Sequence, residues 1–434
     1  MTTTESPSPG GEDRSLATTP GASAAPAPTA PVTEPENRFA GAWREIVGGS
    51  WGVSVGALVL ALLAGAVMIA STDETVRQTA TYFFSRPGDL LAAVWTSVRD
   101  AYGALLRGAV WNPAGDTFVE SIRPLATSLT YATPLVAAGL GLAVGFRSGL
   151  FNIGGQGQMI LAAVGAGWVG FALDLPAGLH LLLAIVVGVA AGALWAGVAG
   201  LLKAATGAHE VITTIMLNHT AYYLLFFLLA TPGLLQAPGS SNPKTPAMRD
   251  SAILPNLLGD GFPLHAGFLL ALVAVAVTWW LLERSRLGFT FRAVGENPQA
   301  ARVAGIDVRR TTVYSMLVSG AMLGVAGTTQ VLGTSTTGFS TDVDAGMGFD
   351  AITVALLGRS TPLGTLGAGI LFGAFKAGGA TMQAAETIPS EIVTVIQSLI
   401  VLFIAAPPLV RAVFRLPAPG AAKAARRARK EVVA

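Results

Sequence analysis

The sequence predicts an all-α, polytopic membrane protein with about ten transmembrane or re-entrant helices, both termini inside, discontinuous helices and one short cytoplasmic helix. Three observations carry this. Only 12% of the 434 residues are charged, about half of the roughly 25% usual in soluble domains. Apolar runs long enough to cross a bilayer, about 20 residues each, recur along the chain. Lys and Arg gather in particular connections between those runs, as the positive-inside bias requires.

Residues 1–37 are rich in Pro, Ala, Ser and Thr. They cannot bury enough surface to offset their ordering entropy and read as a disordered cytoplasmic tail. The first apolar run starts only near Ser50, so the tail is no signal peptide. Residues 38–123 hold the first span, 50–70, and a long outer connection. Within that connection Leu90, Leu91, Val94, Val98 and Leu105 recur at helical spacing. This stripe predicts an amphipathic external helix lying against the bundle or the interface.

Residues 124–412 form the core, with segments at 124–146, 151–173, 177–202, 209–230, 265–282, 311–333, 347–362, 364–382 and 391–412. Segment 347–362 is short and carries Asp350 and Arg359, so it either spans or dips in and returns. The Pro/Gly-rich loop 231–250 falls outside. Placing the N-terminus in the cytoplasm puts Arg147, Lys203, Arg359, the arginines between 284 and 310 and the basic tail 413–434 inside. Many of the 52 glycines are spaced four apart, as in Gly188/Gly192 and Gly320/Gly324, which permits close helix approach in lipid.

Several chemistries fail on inspection. There is no Cys, and His180, His209, His219 and His265 lack ligand spacing. "GAGWVG", Gly165 to Gly170, fits a dinucleotide pattern but lies inside an apolar run with no preceding strand. "HEVIT" has Thr213 where a zinc helix needs its second His, and no lysine follows a glycine, which excludes a phosphate-binding loop on this chain. No catalytic residue and no bound cofactor or metal is expected, and nothing suggests nucleic acid as a partner.

Two polar stretches interrupt the hydrocarbon. "LFNIGGQGQM" combines helix-weakening glycines with Phe151, Asn152, Gln156 and Gln158. Backbone that leaves a helix at membrane depth survives where it lines a cavity or is packed in protein. The stretch therefore predicts a broken helix whose amides either face a translocation pathway or tie helices together. "GMGFDAI", with Phe349 and Asp350, offers a similar spot in the second half and suggests a weak internal repeat. Glu210 opens one span with Asn218 two turns on. It either lines the inner mouth or, the simpler reading, complements the helix dipole. Lys376 and Gln383 read as snorkelling side chains.

The cytoplasmic piece 283–310 contains "GENPQAARVAGI", with Gly295, Glu296, Asn297, Pro298, Ala300, Ala301, Arg302 and Gly305. Asn297 is a good N-cap, Pro298 suits the first helical position, and Gly305 can close the helix in the left-handed region. A helix of about two turns is marginal alone and needs docking. Its small face, Ala300, Ala301 and Ala304, framed by arginines, fits either a partner's groove or a plain surface loop.

"GENPQAARVAGI" resembles the cytoplasmic coupling loop of ABC-type importer permeases. "FNIGGQGQM", "GAHEVITTIMLN" and "GMGFDAITVALLGRSTPLG" resemble, in the same order, signatures of the nucleoside and simple-sugar permeases. That subfamily belongs with the ribose and branched-chain amino-acid permeases, and the resemblance covers about residues 120–412. The long N-terminal tail and the outer segment 71–123 depart from the pattern. The resemblance implies a prokaryotic cytoplasmic-membrane permease. It would work with a second permease subunit, identical or different, and with a separate ABC ATPase that binds ATP and Mg. An extracellular binding lipoprotein or periplasmic protein would deliver a small-molecule cargo, nucleoside first and simple sugar second. It also implies pathway roles for Phe151, Asn152, Gln156, Gln158, Glu210, Asn218, Phe349 and Asp350, and ATPase coupling through residues 295–305. An ion-coupled secondary transporter is the rival, with Asp350 and Glu210 as its only intramembrane carboxylates. A membrane enzyme is the remaining alternative, without a recognisable constellation.

Overall fold

The computed structural model describes residues 50–414, except Asp260, Thr387 and Ser390. The tails 1–37 and, beyond Phe414, the basic C-terminus lie outside the described residues. Every predicted apolar segment is helical, and among the described residues extended pairing is limited to one isolated bridge, Asn256 with His265.

The chain begins with α1 (Ser50–Thr72), which ends at Asp73. The Asp73 carboxylate accepts from Val76 N at 3.1 Å and starts α2 (Glu74–Ala80). The connection continues into α3 (Pro87–Ala109), which is the expected amphipathic helix, with one correction. Its buried face is made chiefly of Ala101, Ala104, Leu105 and Gly108, whereas Leu91 is 67% exposed. Small residues let α3 sit directly on a neighbour, and Leu91 lies beyond the reach of that contact. Tyr102 Oη donates to Leu62 O at 2.5 Å, and Ser128 Oγ donates to Ala109 O at 2.6 Å, which pins the C-terminal half of the helix.

Helix α4 (Phe118–Arg147) is the central post: 30 residues, buried nearly throughout from Ala132 to Gly145. Thr117 caps it by accepting from Glu120 N, while Glu120 reaches back to Asp116 N. Around it stand α5 (Gly155–Ala172), α6 (Ala177–Thr206), α7 (Glu210–Ala230) and α8 (Gly267–Arg284). Then come α9 (Arg286–Glu296), α10 (Pro298–Val303) and α11 (Val308–Thr329), which runs into a π-helical turn at Gln330–Thr334. The chain closes with α12 (Met347–Leu357), α13 (Pro362–Glu386), α14 (Glu391–Ala405) and α15 (Pro407–Phe414).

The glycine spacing finds its use between α6 and α11. Gly188 and Gly192 interlock with Gly320 and Gly324, where a β-carbon at Gly192 would stand 2.7 Å from Gly320 O. One apolar core joins α5, α6, α7 and the loops above them, and a second joins α4, α5, α11, α12 and α13. In the connection between α7 and α8, Thr245 N donates to Phe339 O at 3.0 Å and Leu254 N to Leu332 O at 2.8 Å.

Among the described residues, seven helices are long and apolar enough to cross a membrane; α14 with α15 makes an eighth if that pair is one span. This is a multi-pass membrane protein. The segment expected at 391–412 is helical but bends by 91° between α14 and α15, where Pro407 and Pro408 deny the backbone donors a continuous helix needs. Helix α12, at 11 residues, covers only about 16 Å at 1.5 Å per residue, short of the hydrocarbon thickness of a bilayer. Helix α5 is not among these seven, because its first turn carries Gln156 and Gln158.

Candidate functional site

The chain leaves α4 through a turn at Ser148 and Gly149 and runs non-helical to Gly154, so the break expected from "NIGGQGQ" is present. Its amides divide into two groups. Asn152, fully buried, accepts from Gly154 N at 2.8 Å and donates to Ser319 Oγ at 3.0 Å. It also exchanges hydrogen bonds with Gln158 at 3.1 and 3.2 Å. Asn218 accepts from Gly157 N at 2.8 Å and donates to Ile153 O at 2.9 Å. Asn152, Gln158 and Asn218 thus satisfy the broken backbone and tie α5, α7 and α11 together, with no open surface left to offer. In this structure all three are spent on ties between helices. Gln156 is different: half-buried, it points its Nε2 towards Asp344 Oδ1 at 3.4 Å. Phe151 is 42% exposed and stacks on Phe146.

Glu210 does more than complement a dipole. Its carboxylate lies 2.5 Å from Lys203 Nζ and accepts from Phe151 N at 3.4 Å, so it anchors the start of the broken segment. Thr214 Oγ1 adds an acceptor for Ile153 N.

The second stretch meets the first directly. Gly155 and Gly348 pack backbone on backbone: a β-carbon at Gly155 would sit 2.6 Å from Gly348 O. The starts of α5 and α12 therefore abut. Asp344, in the connection before α12, is buried beside them. Its Oδ1 takes the Gln156 amide, and its Oδ2 has no hydrogen-bond partner. Burial pushes its carboxyl above the usual carboxylate range, against the opposing pull of Gln156. Phe349 is 50% exposed, and Asp350, half-buried, holds Lys376 Nζ at 2.8 Å. Lys376, expected to snorkel outward, is instead drawn to this carboxylate on the adjacent helix.

Within the arginine-rich piece 283–310, α10 forms as expected. Asn297 Oδ1 accepts from Gln299 N and Ala300 N, both at 3.0 Å, and Gly305 has φ +85°. The helix is docked on its own chain through Ala301, which is 4% exposed. The expected small outward face is therefore corrected: Ala301 points in, while Ala300, Arg302 and Ala304 stay out with Val303, which is 91% exposed. Gly295 and Glu296 lead directly into it, and Pro298 is its first residue. Among the described residues no group of three or more His, Asp or Glu is placed to hold a metal. His180 and His265 are buried on local partners, Ser251 Oγ at 2.7 Å and Thr334 Oγ1 at 3.3 Å respectively.

Residues 125–405 match the family described as the permease component of branched-chain amino acid transport systems. The chain belongs to this permease family. Among its relatives, a guanosine ABC transporter permease of Bacillus subtilis is 38% identical over 71% of this permease and 86% of its own length. A glucose ABC transporter permease of Haloferax volcanii is 34% identical over 73% and 83%. A nucleoside ABC transporter permease of Lactococcus lactis subsp. cremoris is 32% identical over 67% and 82%. No solved structure matches the permease.

Several residues of the permease site were missed in the sequence. Asp344 hides in the polar run "STTGFSTDVD", where its burial has no periodic signal. Thr214 and Ser319 look like ordinary helix residues until their partners are known. Val303 stood beside the alanines that drew attention, although a β-branched apolar residue in an arginine-rich loop was a signal.

Proposed function

We propose that this chain is the permease subunit of an ATP-driven importer that moves nucleosides across a prokaryotic cytoplasmic membrane. The observation that carries the reading is its likeness, over more than four-fifths of their own lengths, to permeases named for guanosine and for nucleosides. The abutting starts of α5 and α12 then form the constriction on the pathway. Gln156, Phe151, Phe349 and Asp350 are the residues positioned to meet cargo, and the amides and aromatic rings there suit a neutral, hydrogen-bonding, stackable nucleoside. Both termini face the cytoplasm, which keeps Arg147, Lys203 and the arginines of α9 to α11 on the inner side. The permease pairs with a second permease, receives cargo from an external binding protein, and docks an ABC ATPase carrying ATP and Mg²⁺ on α10. Nucleotide-driven motion of α10 alternates access to the constriction.

Simple sugars are the second reading, favoured by the glucose permease relative. The ion-coupled rival is weakened by charge pairing: Glu210 is engaged by Lys203 and Asp350 by Lys376. The test is reconstitution of the chain with its ATPase and second permease in vesicles, with radiolabelled guanosine and glucose as probes. ATP-dependent guanosine uptake is expected. Uphill uptake by the chain without an ATPase, driven by an ion gradient, would overturn the reading.

A further inference from the structure

We propose that the turn Arg147–Ser148–Gly149 is the element that carries motion of α10 into α5 and α12, with Gly295 and Arg147 as its positioning residues. The proposal rests on the reading of α10 as the ATPase-docking helix.

Gly295 lies in the last turn of α9, two residues before the cap of α10. A β-carbon there would overlap Arg147 O and stand 2.9 Å from Gly149 N and from Ser148 C. Reciprocally, a β-carbon at Gly149 would stand 3.1 Å from Gly295 Cα. Two backbones touch with no side chain between them. Such a contact has no rotamer to absorb a displacement, and close-packed interiors pass strain on.

The turn itself is closed by Leu150 N to Gly145 O at 2.9 Å and Gly149 N to Phe146 O at 3.1 Å. Ser315 Oγ of α11 donates to Ser148 Oγ at 2.6 Å. Segment α9, the turn and α11 are thus joined as one body. Two exits lead from it. The chain itself continues into Phe151, held by Glu210, and so to the start of α5. The Arg147 guanidinium donates through Nε to Ser360 O at 3.0 Å, in the turn that joins α12 to α13. Arg359 and Ser360 there have φ +54° and +51°, left-handed conformations that non-glycine residues hold only where surrounding contacts fix them. One turn therefore touches the helix at the ATPase end and the supports of both polar stretches.

The chain has no Cys, so Ser148→Cys with Ser315→Cys adds the only pair of thiols. In the assembled transporter in vesicles, with radiolabelled guanosine, that pair is expected to oxidise to a disulfide and leave uptake unchanged, because the turn and α11 move together. Gly295→Ala and Arg147→Ala are expected to raise the ATP hydrolysed per guanosine moved at least about fivefold, with ATPase docking retained. Arg147→Lys, which keeps a donor for Ser360 O, is expected to recover most of that coupling. Uptake lost on oxidation and regained on reduction would show the turn sliding on α11 and overturn the proposal. A proportionate fall of uptake and hydrolysis in both alanine variants would reduce the contact to packing and overturn it as well. Failure of the thiols to pair would remove the contact itself. The disulfide and arginine arms decide even if Gly295→Ala does not assemble. Failure of the proposed function looks different: the unaltered chain would then bind no ATPase.

Discussion

Lys376 Nζ lies 2.8 Å from Asp350 Oδ2, so a cation on α13 is neutralised by a carboxylate in the first turn of α12, inside the apolar core segment. Ionisable groups at such depth persist when paired, and removing one partner strands the other. The side chains keep about a quarter of their exposure, which softens the penalty. Lys376→Gln is expected to destabilise the chain by roughly 1–3 kcal/mol, below the 3–5 typical of fully buried pairs. Asp350→Asn with Lys376→Gln should recover most of that loss. Thermal unfolding of the singles and the double in detergent measures it; additive losses would mean the pair is not coupled.

The two groups of amides predict opposite phenotypes. Gln156 is half-exposed and shares one long hydrogen bond with Asp344, so Gln156→Leu should lower uptake while leaving membrane insertion intact. Asn152 satisfies Gly154 N, Ser319 and Gln158 from a fully buried position, so Asn152→Leu strands several polar groups. At roughly 1–3 kcal/mol for each group left unsatisfied, loss of folded protein is expected before any loss of transport. Fluorescence-detected size exclusion alongside uptake separates the two. Normal uptake in Gln156→Leu would reassign that side chain to packing.

The contrast shows what was legible in the chain. Glycines and amides in an apolar run betrayed the break at 150–154, because helix propensity and hydrogen-bonding capacity are local properties. Which amide faces outward was not local: Asn152 and Gln158 are consumed by Ser319 and by each other, and Ser319 lies far along the chain. The cap at Asn297 and the close at Gly305 were readable for the same local reason. The inward turn of Ala301 was not, since it depends on what the helix docks against. Lys376 could be placed only once α12 and α13 were known to be neighbours.

Helix α10 gives a prediction from that inversion. Val303 is 91% exposed and Ala301 is 4% exposed. Under the proposed function, an exposed β-branched residue beside arginines is placed for the ATPase contact, whereas Ala301 holds the helix to its own chain. Val303→Asp should leave folding unchanged and lower ATPase affinity about tenfold, a change worth 1.4 kcal/mol. Ala301→Leu should instead lower thermal stability, because overpacking a tight contact costs about 1–3 kcal/mol. Asn297→Ala should lie between, losing a cap worth about 1 kcal/mol. Pull-down of the ATPase with a matched melting curve decides; tight ATPase binding by Val303→Asp would place the contact elsewhere.

Asp344 makes the site sensitive to pH. It sits in the connection before α12, buried, with Oδ2 lacking a partner, and burial raises its carboxyl above the ordinary 3.8. The sign follows from proton binding. A folded-state value above the unfolded one means the fold takes its proton first as pH falls. The charged carboxylate therefore costs stability at pH above the raised value, and that cost fades as pH falls through it towards 3.8. Asp344→Asn mimics the neutral form and keeps an acceptor for Gln156. The variant is expected to unfold at a higher temperature than the parent at pH 7, with the gap closing as pH is lowered through that window. A parent more stable than Asp344→Asn at pH 7 would mean that the carboxylate's charge is held by the first turns of α5 and α12, whose N–H groups favour an anion, strongly enough to outweigh its burial.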